Sequence, residues 1–282
     1  MSAPRAAPPD TVALALRQAE GMLSDCSDSP RLDAELLLAQ ALDWPRSRLF
    51  SRAEQPLPEP ARKTLQALLA RRAAGEPIAY LRGEQEFWSL SLRVGPACLI
   101  PRPETEGLVD WLLEDVATTA RVLDLGTGSG AIALALKQER PDWRITAVEF
   151  SHAALAIARD NGTRHGLAID WRQGSWYAPL AGETFDAIVS NPPYVAEGDP
   201  HLADLACEPP AALTAGPDGL DALRAIIAGA PAHLAPGGCL RLEHGFDQGP
   251  AVRALLQAAG FTGITTRRDL AGLERLSGGN LP

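Results

Sequence analysis

The chain has 282 residues, 46% hydrophobic and 22% charged, which is ordinary for a soluble globular protein and long enough for one large domain plus a small one. No stretch approaches 18 uninterrupted apolar residues, which excludes a membrane-spanning helix, and Cys26, Cys98, Cys207 and Cys239 form no CxxC, which argues against a disulfide frame or a zinc site. The formal net charge of −9 falls wholly on residues 86–282 (15 basic against 24 acidic), because residues 1–85 carry 11 of each sign, and so acidic a half argues against non-specific grip on a phosphate backbone.

Met1 to Asp10 lacks an apolar core and does not read as a secretory signal, so the protein is expected in the cytoplasm. Asp10 or Thr11 can cap a helix through Val12, Leu16, Ala19 and Leu23. Ser29-Pro30 offers an N-cap and a proline at the first helical position for a helix to Leu42. Pro56, Pro58 and Pro60 introduce a third helix to Ala74, with Leu65, Leu68 and Leu69 on its apolar side and Gly75 as its stop. The basic residues of this part (Arg46, Arg48, Arg52, Arg62, Lys63, Arg71 and Arg72) read as solvated helix faces. Residues 1–78 are therefore expected to form a small helical domain.

Phe87 to Val94 alternates like a strand, followed by a Gly95-Pro96 turn and a second extended run to Ile100, so 79–102 reads as a hairpin linker. Pro103 to Ala117 follows as a helix with Leu108, Val109, Leu112 and Leu113 inward. From residue 120 strands and helices alternate, with strands at 121–125, 144–150, 170–173, 185–190 and 238–244. Helices are expected near 130–139, 152–160, 219–233 and 247–259, and a last strand pair within 261–276. The pattern implies a parallel sheet covered on both faces over 103–282.

Two segments of this second part carry chemistry. The run Val122-Leu123-Asp124-Leu125-Gly126-Thr127-Gly128-Ser129-Gly130 leaves a predicted strand and enters a predicted helix. Glycines there permit a tight turn and let backbone N–H groups approach a ligand. Glu149 ends the next strand, where a carboxylate can accept from ribose hydroxyls. The spacing suits a methyltransferase loop, and with Ala131 in the last place it also satisfies a dinucleotide-binding loop. The second segment, Asn191-Pro192-Pro193-Tyr194, closes the apolar run from Phe185 to Ser190. Two prolines fix φ and remove two donors, so the chain leaves the strand as a stiff ledge presenting the Asn191 amide, free carbonyls and an aromatic ring. Such a ledge can accept both hydrogens of a planar NH2 group and cover its π face; the alternative is an ordinary strand-end turn, or Tyr194 acting as a general acid.

With these residues in view, the chain resembles the protein-(glutamine-N5) methyltransferases that modify peptide chain release factors, the PrmC or HemK type. The likeness runs through Arg31 to Leu38, Gly75 to Leu81, Glu86-Phe87-Trp88, Leu99 to Glu106, the glycine loop, Asn191 to Tyr194, Glu208-Pro209, Asp218 to Leu220, Glu243-His244-Gly245 and Arg268 to Gly272. The resemblance implies a class I S-adenosylmethionine-dependent methyltransferase fold. That fold is α/β and Rossmann-like, a seven-stranded mostly parallel sheet with an antiparallel last strand. To it would be joined a small all-α N-terminal domain that recognises the substrate.

The activity implied is methyl transfer from S-adenosylmethionine to a glutamine side-chain nitrogen in a Gly-Gly-Gln loop of a release factor. Gly126, Thr127, Gly128, Ser129 and Gly130 would cradle the methionine part, Glu149 the ribose, and Trp176 would border the adenine. Asn191 would touch cofactor and substrate, with Pro192, Pro193 and Tyr194 completing the substrate contact and Asn191, Pro192 and Tyr194 the catalytic group. Many relatives carry Asp where this chain has Glu149. No metal, membrane or direct nucleic-acid partner is expected, and a monomer is. Arg102, Glu104 and Thr105 read equally as a lid or entrance and as a capped helix start. Asp160-Asn161-Gly162 looks less regular than the usual helix there and suggests no function.

Overall fold

The computed structural model describes residues 11–282; the readings of residues 1–10, including Asp10 as a cap, lie outside them. The chain divides into two compact units, Met1–Gly83 and Glu84–Pro282.

The first unit is helical: α1 (Val12–Leu23), α2 (Pro30–Leu42), α3 (Arg46–Ser51), α4 (Glu59–Ala73) and α5 (Ile78–Arg82). Thr11 caps α1, its Oγ1 accepting from the Leu14 N–H at 3.2 Å. Ser29 occupies the N-cap of α2 but makes no side-chain cap bond, and Pro30 alone starts the helix as expected. Leu16, Leu23, Leu37, Leu38, Leu65 and Leu68 form the core with Leu49 of α3 and Leu81 of α5. α3 and α5 are six and five residues long, too short to leave a periodic signal. Several of the basic residues are paired, Arg46 with Glu35 at 3.0 Å and Arg72 with Asp33 at 2.9 Å, both carboxylates lying buried on α2.

The second unit opens with an antiparallel hairpin, β1 (Glu84–Phe87) and β2 (Leu90–Arg93). The single strand expected over 87–94 is broken at Trp88 and Ser89, whose φ of +52° and +62° make them the two-residue turn between the strands. Neither residue favours positive φ. Glu106 holds the turn by accepting from the Trp88 N–H at 2.8 Å, and Glu139 accepts from the Trp88 indole at 2.9 Å. Gly95 and Cys98 do form a turn, the Cys98 N–H donating to the Gly95 carbonyl, but the run to Ile100 is not a strand.

A short 3-10 turn, Pro103–Thr105, leads into α6 (Glu106–Asp115). The alternating part then gives β3 (Arg121–Leu125), α7 (Ala131–Glu139), β4 (Arg144–Glu149), α8 (His152–His165), β5 (Asp170–Gln173), β6 (Phe185–Ser190), α9 (Asp221–Gly229), β7 (Leu234–Glu243), α10 (Gly249–Ala258), β8 (Thr262–Arg268) and β9 (Glu274–Asn280). These strands make one seven-stranded sheet in the order β5-β4-β3-β6-β7-β9-β8, in which β9 alone runs opposite to the other six. One face is packed by α6 and α7 around Leu108, Leu112, Leu134 and Trp143. The other is packed by α9 and α10 around Leu223, Ile226, Val252 and Leu256. The strand order reverses between β3 and β6, so a crevice opens beyond their carboxyl ends, the place where an open α/β sheet binds ligands.

Candidate active site

That crevice receives both segments singled out from the sequence. β3 runs into the glycine loop and β6 into the Asn-Pro-Pro-Tyr ledge, and the two strand ends are tied by the buried Ser190 hydroxyl donating to the Leu125 carbonyl at 2.6 Å. A cavity of about 370 Å³ lies there. Of the residues singled out from sequence, its wall includes Gly126, Thr127, Gly128, Ser129, Glu149, Trp176, Asn191 and Pro193, and not Gly130, Pro192 or Tyr194.

The loop bends because Gly126 and Gly128 adopt φ of +72° and +57°, and a Cβ on Gly128 would meet nothing within 4 Å. Open backbone therefore faces the cavity. Gly130 differs: it does not line the cavity, and a Cβ there would sit 3.0 Å from Trp171 and 3.3 Å from Ala158. Its task is to let α7 pack closely on the neighbouring layer rather than to touch a ligand.

Glu149 accepts from the Gly128 N–H at 2.9 Å and the Ser151 N–H at 2.8 Å, which fixes its carboxylate at the rim and leaves each oxygen a further lone pair. Trp176, held at φ +47°, packs over Gly126 and supplies an aromatic wall. Phe150, 73% exposed though it lines the cavity, and the segment Ala97 to Pro101 complete the apolar part; Phe150 carries no sequence signal, and Leu99 to Pro101 belongs to the segment that carries the resemblance. The opposite wall, Pro209 to Ala212, is anchored by buried Glu208, which accepts from the Ile100 N–H at 3.0 Å and pairs with Arg102. Arg102 is thus a tie between two walls.

Beneath the loop, Asp124 is fully buried and accepts from the Thr127 hydroxyl at 2.5 Å. Burial pushes its carboxyl up to about 7, against the opposing pull of the Thr127 and Ala133 hydrogen bonds.

The ledge is held from behind. The Asn191 side-chain NH2 donates to the Thr105 hydroxyl at 3.0 Å, which donates to Glu243 at 2.7 Å, while the Tyr194 hydroxyl donates to the other Glu243 oxygen at 3.2 Å. The buried Asn191 Oδ1 has no hydrogen-bond partner. Pro192 is buried behind the cavity wall. Tyr194 packs into the core on the α9 and α10 side rather than lining the cavity, and its carbonyl accepts from Gln248 at 2.9 Å. Burial pushes the Tyr194 phenol well above its ordinary range, so it stays a hydrogen-bond donor and is no general acid near neutrality.

Thr105 makes no cap for α6; its hydroxyl serves the Asn191–Glu243 link instead, and it lines the cavity. Asn161 lies within the regular helix α8, fully buried, where it accepts from the Arg93 N–H at 2.7 Å and donates to the Ser129 carbonyl at 2.9 Å. It clamps the hairpin to the glycine loop. No sequence signal near Asn161 indicates that partner, because Arg93 lies far away in the chain.

No group of three or more His, Cys, Asp or Glu among the described residues is arranged to hold a metal, and no described helix is long and apolar enough to cross a membrane.

Comparisons with known proteins agree along the chain. A family model described as the PrmC N-terminal domain matches residues 15–83, and one described as the methyltransferase small domain matches 104–216. A release factor glutamine methyltransferase of Xylella fastidiosa is 54% identical over 257 residues, covering 89% of this chain and 94% of its own. One from Burkholderia pseudomallei is 54% identical, covering 89% and 92%, and one from Vibrio cholerae is 48% identical, covering 95% and 96%. Among solved structures, a methyltransferase from Pyrococcus furiosus covers 76% of this chain and 96% of its own at 20% identity and a TM-score of 0.54. A Thermus thermophilus 16S rRNA N2 G1207 methyltransferase covers 71% and 50% at the same identity and TM-score, which likewise shows the fold alone.

Proposed function

The chain belongs to the release factor glutamine methyltransferase family, and from that premise we propose that the Asn191–Tyr194 ledge is its catalytic centre. The enzyme transfers a methyl group from S-adenosylmethionine to the side-chain amide nitrogen of a glutamine in a peptide chain release factor. Its fold is that of class I S-adenosylmethionine-dependent methyltransferases.

The residues at the cavity fit such a cofactor. Exposed loop backbone at Gly126 to Ser129, a carboxylate at Glu149 and an aromatic wall at Trp176 match its amino-acid, ribose and base parts in chemistry. When bound, S-adenosylmethionine supplies a methyl carbon made electrophilic by a positive sulfur.

The protein's work is then on the amide. Its nitrogen lone pair is delocalised into the carbonyl and is a poor nucleophile. Asn191 Oδ1 and the Pro192 carbonyl accept the two amide hydrogens, which turns the lone pair toward the methyl group and favours partial pyramidalisation. Both hydrogen bonds would strengthen as positive charge grows on the amide nitrogen during methyl transfer, so these two acceptors would favour the transition state over the ground state. The extra proton leaves through the same acceptors, and no separate strong base is required. Positioning of this kind contributes up to roughly 7–11 kcal/mol in ideal intramolecular cases.

The observation that carries the reading is Asn191, which lines the cavity and whose buried Oδ1 has no hydrogen-bond partner. A buried acceptor left empty costs about 1–3 kcal/mol, and a substrate N–H is what offsets it. Further parts of the proposal are that the helical unit recognises the release factor, that the glutamine lies in a Gly-Gly-Gln loop, and that the enzyme acts as a cytoplasmic monomer without direct nucleic-acid contact. Incubation with labelled cofactor and either a release factor or DNA and RNA, followed by mass spectrometry, should place the label on the release factor's glutamine. Asn191→Ala should then lower turnover by orders of magnitude and leave cofactor affinity within several-fold; retained turnover would remove the ledge from the mechanism.

A further inference from the structure

We propose that Glu243 is a positioning residue for methyl transfer, its buried carboxylate setting which end of the Asn191 amide meets the substrate while also holding Tyr194. The inference rests on the ledge being the catalytic centre.

Its basis is the direction of hydrogen bonds in a closed set. β7 lies beside β6 with Leu242 opposite Ser190, so the next residue of each, Glu243 and Asn191, stand together at the strand ends. An ionised carboxylate only accepts, and the Thr105 hydroxyl has one hydrogen, which it gives to Glu243 at 2.7 Å. Thr105 Oγ1 then offers Asn191 only lone pairs. The NH2 end of the Asn191 amide must face it, at 3.0 Å, and Oδ1 is driven to the other side, where it stands unpartnered. Were the group at 243 a donor, the Thr105 hydrogen would be released toward Asn191 and would hold the opposite amide orientation. The ledge would then present an NH2 to the substrate's NH2, donor against donor.

Tyr194 completes the set by donating to the second Glu243 oxygen at 3.2 Å, so one carboxylate registers both ends of the ledge. Charged groups facing it are Arg275, which favours its ionised form, and Glu104, which opposes it. A carboxylate only 1% exposed, without a basic residue bonded directly to it, is a poor choice for stability alone. Burial pushes its carboxyl up to about 7, which places its ionisation inside the working range of pH.

The test compares Glu243→Gln, Thr105→Ser and Thr105→Val with the native enzyme, measuring kcat, KM for the release factor, cofactor affinity by calorimetry and melting temperature at pH 8. Glu243→Gln keeps the shape and introduces a donor. It should lower kcat about ten- to a hundredfold, the scale of a hydrogen bond to a charged group, while cofactor affinity stays within several-fold and the melting temperature is unchanged or higher. A merely structural tie would instead lower the melting temperature. Thr105→Ser should retain turnover and Thr105→Val should lose it. The Thr105→Val and Glu243→Gln losses should be strongly non-additive in the double variant, as members of one set are. In the native enzyme kcat should rise with pH through about 7, a limb that Glu243→Gln should flatten.

Full turnover in Glu243→Gln, or equal activity of the Ser and Val variants at 105, overturns the proposal. If Glu243→Gln fails to fold, the Thr105 pair decides. Loss of turnover in Asn191→Ala beside an active Glu243→Gln would defeat this inference alone, whereas an active Asn191→Ala would defeat the ledge reading itself.

Discussion

Asp124→Asn is expected to abolish the pH dependence of stability contributed by the floor of the glycine loop. Asp124 is fully buried, and burial raises its carboxyl from 3.8 to about 7. A group whose folded value lies above its unfolded one binds its proton more tightly when folded. Its stabilising contribution is therefore complete below pH 3.8 and is lost as pH rises through about 7. At about 1.36 kcal/mol per unit the whole loss comes to about 4 kcal/mol, of which about 3 falls between pH 5 and pH 8.

Asparagine at this position cannot ionise. It keeps an acceptor for the Thr127 hydroxyl but puts an NH2 where Asp124 Oδ1 now has no partner, a cost of about 1–3 kcal/mol that does not change with pH. The variant should thus be no more stable than the native protein at pH 5 and should gain on it by about 3 kcal/mol by pH 8. Urea denaturation followed by circular dichroism at pH 5, 6.5 and 8 measures the difference, and the subtraction cancels every other titrating group. A constant difference across that range would refute the reasoning, because it would mean that Asp124 is ionised throughout.

Asn161→Ala should destabilise the fold by about 2–4 kcal/mol in denaturant titration, since it leaves the Arg93 N–H, the Arg93 carbonyl and the Ser129 carbonyl without their shared partner. Its cofactor affinity should fall as well, because Ser129 belongs to the cavity wall; unchanged affinity by calorimetry would separate the clamp from the site. Tyr194→Phe should reduce kcat several-fold by removing one of the two donors to Glu243, and Tyr194→Ala should reduce it by orders of magnitude. Equal losses in steady-state kinetics would assign the whole contribution to the hydroxyl and none to the ring.

The parts of this molecule legible in the sequence are those whose cause is local. β3, β5 and β6 begin and end where alternation, glycines and prolines place them, because each boundary is set by residues within a few positions. The glycine loop and the ledge are legible for the same reason: both depend on φ at particular glycines and prolines, and both sit on strand ends that the fold must bring to one rim. The hairpin turn is hidden because Trp88 and Ser89 do not favour positive φ, and the groups that hold the turn, Glu106 and Glu139 bonded to Trp88, lie far along the chain. Gly130 lies outside the cavity wall for a reason that is likewise not local. It sits in the motif and opens a helix, yet the atoms that require it to lack a Cβ belong to Trp171, Leu134 and Ala158.

Thr105 is the sharpest case. From sequence, a threonine before an acidic helix start reads as a cap and equally as part of a lid or entrance, and nothing nearby decides between them. In the structure its one hydrogen is spent on Glu243, from a strand far along the chain, and its lone pairs on Asn191, from another. With its hydroxyl turned to these two partners Thr105 makes no cap bond, and the helix start does without. On the proposed reading the motif supplies the group that would touch the substrate, while the orientation of that group would be decided by residues the motif does not contain. A chain keeping Asn-Pro-Pro-Tyr but lacking an acceptor-only group at 243 would retain the ledge and lose the direction of its amide.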